Sequence, residues 1–352
     1  MKIVVAFDSF KGCISAEEAC HAAADGIHAV FPTADVVELP LSDGGEGLVA
    51  CVRRMLPTVD VSITLHGPLM DSIRCSYALS LDGKCAYMEM AAASGLTLVP
   101  EDKRNPLNTT TYGVGEMIAD AVSRGCERIV MGIGGSATCD AGEGMLQALH
   151  DHDCLPTSCD FVVACDVTNP LYGGQGAAYV FAPQKGATPE QVILLDNRLR
   201  AFARKTEKAD IASPDMAHRP GAGAAGGLGY ALLAYLHATL QSGIDIMLDI
   251  ARFDLLIRDA DWVITGEGKS DVQTLMGKVP SGVQKRCVKA GIPIWLLSGA
   301  IDDEDSILSS HFDRVQSINE GDLRPLEQLL QPSVAMDNIR RSVARLLLGQ
   351  KA

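Results

Sequence analysis

An α/β fold, built on a parallel sheet with an antiparallel piece belonging to a second unit, is what this 352-residue chain predicts. Three observations carry it. Apolar runs of strand length alternate with helix-like stretches from the first residues onward. Between residues 59 and 90 that alternation gives way to short strands joined by tight turns. The run Ile129–Leu146 then passes from a buried strand through a Gly/Ser/Thr turn into a helix start carrying two carboxylates. In α/β proteins such junctions point backbone N–H groups and helix N-termini into a crevice.

Taken in order, Lys2–Phe7 reads as a fully buried first strand, bounded by Asp8-Ser9-Phe10-Lys11-Gly12. Ser15 and Glu18 have the spacing of a capping box. The helix they open runs to about Val30, with Ala19, Ala23, Ile27 and Val30 on one face. Pro32 ends it. Val36–Leu41 is a second strand, and Ser42–Leu48 leads into a helix ending near Leu56. Val61–Leu65, Ile73–Leu81 and Lys84–Met90 read as strands, with Asp82-Gly83 as a hairpin signal. Asn108–Thr111 precede a helix that stops at Gly125. Arg128–Ile133 is a strand, followed by a helix to about Leu149, and Phe161–Cys165 is another buried strand. Thr188-Pro189-Glu190-Gln191 combines an N-cap, Pro at N1 and Gln at N3, opening a helix to roughly Lys208. Pro220–Gly229 is a Gly/Ala loop before an apolar helix to about Leu240. Trp262–Thr265, Pro293–Ser298 and Arg314–Ser317 complete the strands, and Arg324–Leu348 reads as closing helices.

Composition narrows the function. The formal net charge is -14, from 44 acids against 30 lysines and arginines. That opposes a nucleic-acid or anionic-membrane surface. Aromatics are 5% of the chain, too few for base-stacking platforms. No apolar run is long enough to span a bilayer. The 11 cysteines contain no C-x-x-C pair, are odd in number, and often sit in apolar runs, which predicts reduced thiols in a cytoplasmic protein.

Asp-[Gly/Ala]-Gly-Glu-Gly-apolar occurs twice, at Asp43–Leu48 and Asp140–Met145. One reading is helix capping, with Asp as N-cap and Glu at N3. The other has carboxylates facing a crevice, where oxygen donors hold Mg²⁺ with waters retained. Asp8 and Lys11 place one acid and one ammonium at the end of the first strand. Lys185 and Lys278 lie in Gly/Pro-rich loops, where a lysine is either solvated or neutralises an anion as a point charge. Gly132–Ala137 fits the dinucleotide pattern G-x-G-x-x-A, and Gly221–Gly226 fits G-x-G-x-x-G without a strand leading in. Gly266-Glu267-Gly268-Lys269-Ser270 imitates the end of a P-loop, but Val263 stands where the first glycine belongs. The inventory suits Mg²⁺-dependent phosphoryl transfer, in which positioning and charge neutralisation carry most of the catalysis. It does not name the acceptor.

Several longer strings then resemble one family. They include Asp8–Gly12, Ser42–Gly47, Gly132–Thr138, Ala164–Leu171, Pro183–Ala187, Pro220–Gly229, and Ile264–Gly268 with Asp271–Thr274 and Gly277-Lys278. In this order they are similar to the bacterial type-I glycerate kinases, up to about Gly299. Cys13 stands where the family usually has Ser, and Thr138-Cys139-Asp140-Ala141 replaces a usual Thr-Asn-Asp-Gly.

The resemblance implies ATP-dependent phosphorylation of D-glycerate, with 2-phosphoglycerate the usual product of this type. It implies a discontinuous Rossmann-like domain, 1–58 and 245–352, with 110–150 as a candidate further segment. A second α/β domain, 59–244, would carry the antiparallel portion, with the active site in the cleft between the two. Asp8, Lys11, Asp43 and Asp166 are the candidate catalytic residues. Asp166 or Asp43 would orient the glycerate hydroxyl and accept its proton. Gly134, Gly135 and Ser136 would offer N–H donors to phosphate, joined by Asn169, Lys185 and Lys278. Glu46, Asp140 and Asp271 are the candidate Mg²⁺ contacts. ATP, Mg²⁺ and D-glycerate are the expected small molecules, with no nucleic-acid or membrane partner and a homodimer as a candidate assembly. The alternatives are a kinase of another small hydroxy acid and a dinucleotide-dependent oxidoreductase.

Overall fold

The computed structural model describes residues 1–349 except 11, 43–46, 155, 157 and 304. Two compact units divide the chain: residues 1–43 with 244–352, and residues 44–243.

The first unit opens with β1 (Lys2–Phe7), α1 (Ala16–Val30) and β2 (Asp35–Glu38). Ser15 caps α1 in the expected reciprocal box with Glu18. The second unit begins with α2 (Leu48–Met55), then the meander β3 (Thr58–His66), β4 (Ser72–Ser80) and β5 (Cys85–Glu89). It continues through α3 (Ala91–Ser94), α4 (Tyr112–Ser123), β6 (Arg128–Gly132), α5 (Glu143–Asp151) and β7 (Asp160–Ala164). The helices α6 (Ala177–Phe181), α7 (Pro189–Lys208) and α8 (Ala224–Tyr235) follow, then β8 (Thr239–Gln241). After α9 (Gly243–Ile250) and α10 (Phe253–Leu256), the first unit is completed by β9 (Trp262–Ser270), α11 (Val279–Ala290), β10 (Ile294–Ile301), β11 (Arg314–Ser317), α12 (Leu326–Leu329) and α13 (Pro332–Leu348).

In the first unit the sheet order is β11-β10-β9-β1-β2, all parallel. Numbered within the unit this is 2-1-3-4-5, a doubly wound sheet whose order reverses between β1 and β9. Both sheet faces are buried, so the strands read as continuous apolar runs. Ile3, Val5 and Phe7 pack with Ala19, Ala23 and Ile27 of α1 and with Ile339 and Val343 of α13. Val4 and Ala6 point the other way and are also fully buried, on the face taken by α11. β9 runs on through Ser270, beyond the expected end at Thr265, so the P-loop imitation is strand rather than loop. Gly266 permits this, because a Cβ there would lie 1.8 Å from the Leu297 carbonyl oxygen.

In the second unit a mixed sheet runs β3-β4-β5-β6-β7-β8. β3, β4 and β5 pair antiparallel; β5 to β8 pair parallel. Met117, Ile118, Met145 and Leu149 from α4 and α5 fill the core with Met88, Ile129 and Met131 of the sheet.

Three expectations differ from what is observed. The units divide at 43/44 and 243/244 rather than at 58/59 and 244/245, because α2 packs on β5 and β4. Residues 110–150 belong to the second unit, since β6 is paired between β5 and β7. The helix expected to reach Leu240 stops at Tyr235: His237 adopts φ +51°, and Thr239–Gln241 pairs with β7 instead.

Candidate active site

The carboxyl edge of the first unit's sheet is where strand order reverses, the position at which open α/β sheets bind ligands. Asp8 follows β1 there and Glu267 lies on the neighbouring β9; both are only 6% exposed. The Asp8 carboxylate accepts from the Ser9 N–H at 2.6 Å. Glu267 Oε1 accepts from the Thr274 hydroxyl at 2.6 Å and the Ser270 hydroxyl at 3.1 Å. Its other oxygen, Oε2, faces Lys278 Nζ at 3.6 Å. Lys278 is held at this place as the N-cap of α11. Asp8, Glu267 and Lys278 line one cavity of about 480 Å³.

A buried carboxylate is costly unless its lone pairs are satisfied. Glu267 meets that condition through two hydroxyls and one ammonium, while still facing a cavity. Sequence reasoning quoted Glu267 in the string Ile264–Gly268 but gave it no role. Its neighbours Gly266, Gly268, Lys269 and Ser270 read as a loop, so the sequence carries no signal that Glu267 is buried on a strand. Asp271 sits elsewhere: it caps the following turn by accepting from the Gln273 N–H at 2.9 Å, and lines a separate depression with Asp302, Asp303 and Asp305.

The second unit holds the remaining described candidates. After β6 the chain does not enter a helix at the glycines. Ser136 bridges to Gly95, and α5 begins only at Glu143. The dinucleotide fingerprint needs the helix to open at its glycines, so the Gly132–Ala137 match does not have that context. The second match fails too. Ala225, Gly226 and Gly227 are all left-handed, and Gly226 and Gly227 press against the backbone of residues 138, 139 and 141. The G-x-G-x-x-A match on which the oxidoreductase alternative rests therefore lacks its strand-to-helix context.

Lys185 lies beneath this turn, 3% exposed. Its ammonium donates to Ser136 Oγ at 2.6 Å and to the Thr138 carbonyl at 2.7 Å. Burial pulls it down to about 8. Gly134 and Gly135 are more open, Gly135 being exposed. Asp140 is engaged on both oxygens: Oδ2 accepts from the Thr111 N–H and hydroxyl at 2.8 Å each and from the Gly144 N–H at 3.3 Å, and Oδ1 from the Gly142 N–H at 3.2 Å. The Thr111 hydroxyl in turn accepts from the Met145 N–H at 2.9 Å. Asp140 thus ties the starts of α4 and α5 together. Residue 141, an alanine, takes φ +55°, the left-handed region that glycine adopts without cost. In the second copy the residue before α5 is Gly142 rather than Asp140, and α2 starts after Gly47, whose N–H donates to Glu89 Oε1 at 2.6 Å. Asn169 donates to the Gln175 carbonyl at 2.8 Å, and Asp166 accepts from the Gly243 N–H at 3.2 Å. Lys11, Asp43 and Glu46 lie outside the described residues.

Among the described residues no three His, Cys, Asp or Glu side chains gather as a metal site. Mg²⁺ does not require one, because it is commonly held by one or two carboxylates, waters and substrate phosphates. Asp8 and Glu267 supply hard oxygen donors of that kind on one cavity wall. All 11 cysteines are free thiols, and burial raises Cys20, Cys159 and Cys287 to about 12, so none of these three is poised as a thiolate. Among the described residues no helix is long and apolar enough to cross a membrane.

Comparison with known proteins gives one consistent result. The model of the glycerate kinase family matches residues 3–153 and 150–348. A glycerate kinase of Bacillus subtilis (strain 168) is 42% identical, over 98% of this chain and 97% of the relative. The glycerate 2-kinase of Escherichia coli (strain K12) is also 42% identical, over 88% of each chain. The crystal structure of a protein assigned as glycerate kinase 2 from Salmonella typhimurium LT2 superposes with a TM-score of 0.85 at 38% identity, covering 100% of both chains.

Proposed function

This chain belongs to the glycerate kinase family, and we propose on that premise that it phosphorylates D-glycerate with ATP and Mg²⁺, giving 2-phosphoglycerate. The observation that supports the reading best is the satisfied, cavity-facing Glu267 beside Lys278 and Asp8 at the sheet's reversal point. In phosphoryl transfer the enzyme mainly positions the reactants and balances charge. The glycerate hydroxyl oxygen forms a bond to the γ-phosphorus as the bond to the bridging oxygen of ADP breaks. The hydroxyl proton passes to a carboxylate; Asp166 is the candidate among the described residues.

Lys278 carries positive charge to the cavity wall, where it offsets the substrate carboxylate or the transferring group. Asp8 and Glu267 would hold Mg²⁺, which when bound neutralises phosphate charge. Thr274 and Ser270 keep the Glu267 carboxylate fixed, so it costs no reorganisation during the reaction. In the second unit, Lys185 holds Ser136 and Thr138, directly after Gly134 and Gly135, whose backbone is the candidate phosphate contact.

The test is ADP release from ATP and Mg²⁺ with D-glycerate as acceptor. Release that depends on D-glycerate supports the reading. No release from a folded sample rejects it, and faster release with another small hydroxy acid would reassign the acceptor.

A further inference from the structure

The cavity of the first unit is larger and more apolar than a three-carbon hydroxy acid needs. At about 480 Å³ it falls within the range of sites that enclose drug-sized ligands. Its polar groups Asp8, Glu267 and Lys278 stand over the tips of β1 and β9. A different set of residues lines it at the far side of the sheet order: Ile318 just past β11, Leu326, Leu329 and Leu330 at α12, and Ala335 on α13. Neighbouring strands lie about 4.8 Å apart, so the tips of β1 and β11 are separated by roughly 14 Å. Glycerate covers about one such spacing and has no hydrocarbon face to set against leucines.

We propose that this apolar sector seats the base and sugar of the nucleotide, with its phosphates running toward Glu267 and Lys278. The proposal rests on the kinase reading above and adds which end of the cavity takes which part of the ligand. Leu326 is 68% exposed and Leu330 44% exposed, although both face the cavity. Side chains of this kind are left in water where a ligand later covers them.

The wall is held in place before any ligand arrives. Arg324 donates to both oxygens of Asp322 and, at 3.1 Å, to Asn338 Oδ1. Asn338 donates to Asn319 Oδ1 at 2.8 Å, and Asn319 donates to the Gly299 carbonyl at 2.8 Å. Gly299 and Asn319 themselves line the cavity. The segment carrying α12 is therefore tied through side chains to the tips of β10 and β11, so a base would meet a prearranged surface. One Asn319 amide N–H and its carbonyl oxygen are engaged in this network. The remaining side chains of the sector are apolar, so packing carries most of the recognition of the base.

The experiment uses the double variant Leu326→Ser/Leu330→Ser, at exposed positions where folding is not at stake. ADP affinity is measured by calorimetry without acceptor, and KM is measured for ATP and for D-glycerate. Inorganic triphosphate, which has no base, is tested as a competitor of ATP. The expected result is an ADP affinity and an ATP KM at least about tenfold weaker, which is about 1.4 kcal/mol. The KM for D-glycerate and the inhibition constant of triphosphate should stay within twofold. Unchanged ADP affinity in an active variant overturns this proposal alone, as does a rise confined to the D-glycerate KM. A wild-type protein that neither binds ADP nor turns over overturns the kinase reading and this proposal together.

Discussion

Lys278 Nζ stands 3.6 Å from Glu267 Oε2, and the opposite oxygen of the same carboxylate takes hydrogen bonds from Thr274 and Ser270. Residues from β9, the turn after it and the start of α11 thus meet on one buried acid. Glu267→Gln keeps the shape but removes the charge that faces Lys278. The expected outcome is a fall in kcat of about 100-fold or more, with little change in thermal midpoint. Thr274→Val leaves Oε1 short of one donor and should cost about 1–3 kcal/mol of stability. Steady-state kinetics with thermal unfolding checks both. Near-wild-type turnover in Glu267→Gln would remove Glu267 from the reaction.

Lys185 gives a pH signature. Burial pulls its ammonium down to about 8 from an ordinary 10.5. The unfolded chain therefore binds this proton more tightly than the folded one, and stability rises with pH between those two values. Below pH 8 both states carry the charge, and the full burial cost is present. Lys185→Met removes the term. The stability difference, wild type minus variant, should climb between pH 8 and 10.5 by on the order of 3 kcal/mol at most. Denaturant unfolding at several pH values measures it, and a flat difference would contradict the assignment.

Asp140 accepts from four donors on the starts of α4 and α5. An amide in its place offers one acceptor oxygen and confronts the other donors with N–H groups. Asp140→Asn should lose about 2–4 kcal/mol of stability. The Mg²⁺ concentration giving half-maximal rate should hardly move. A variant of wild-type stability that needs much more Mg²⁺ would instead make Asp140 a metal contact.

Gly226 and Gly83 separate two uses of glycine. Both have φ near +70°, but a Cβ on Gly226 would lie 2.0 Å from the Thr138 carbonyl oxygen, whereas nothing lies within 4 Å of one on Gly83. Gly83→Ala should cost about 1–2 kcal/mol, the left-handed penalty alone. Gly226→Ala must displace backbone beside Ser136 and Asp140, and should yield little folded protein. Comparable expression and melting of the two variants would contradict the close approach.

Much of this architecture was legible because it rests on local patterns. The apolar run Lys2–Phe7, the Ser15/Glu18 capping box and the Thr188–Gln191 helix start appear as read. Breaks in the reading arose where distant backbone decides. Gly266 looks like loop glycine, yet it continues β9 because Leu297 presses against it. Thr239–Gln241 looks like a helix end, yet it completes a sheet edge beside β7. For the site, spacing could show that Asp8 closes the first strand, but it left Lys278 in a Gly/Pro-rich loop, where the structure makes it the N-cap of α11. It could not show that Asp140 is consumed by Thr111, 29 residues away, or that Lys185 is buried under Ser136. Glu267 escaped notice because its partners Thr274 and Lys278 acquire meaning only once the chain turns back on β9.

Phosphorus NMR of the reaction with ATP, Mg²⁺ and D-glycerate tests the central claim most directly. The account predicts loss of the γ-phosphate signal, appearance of ADP, and one new phosphomonoester resonance coupled to the single proton on carbon 2. A folded protein that leaves ATP intact, or releases only inorganic phosphate, would contradict it.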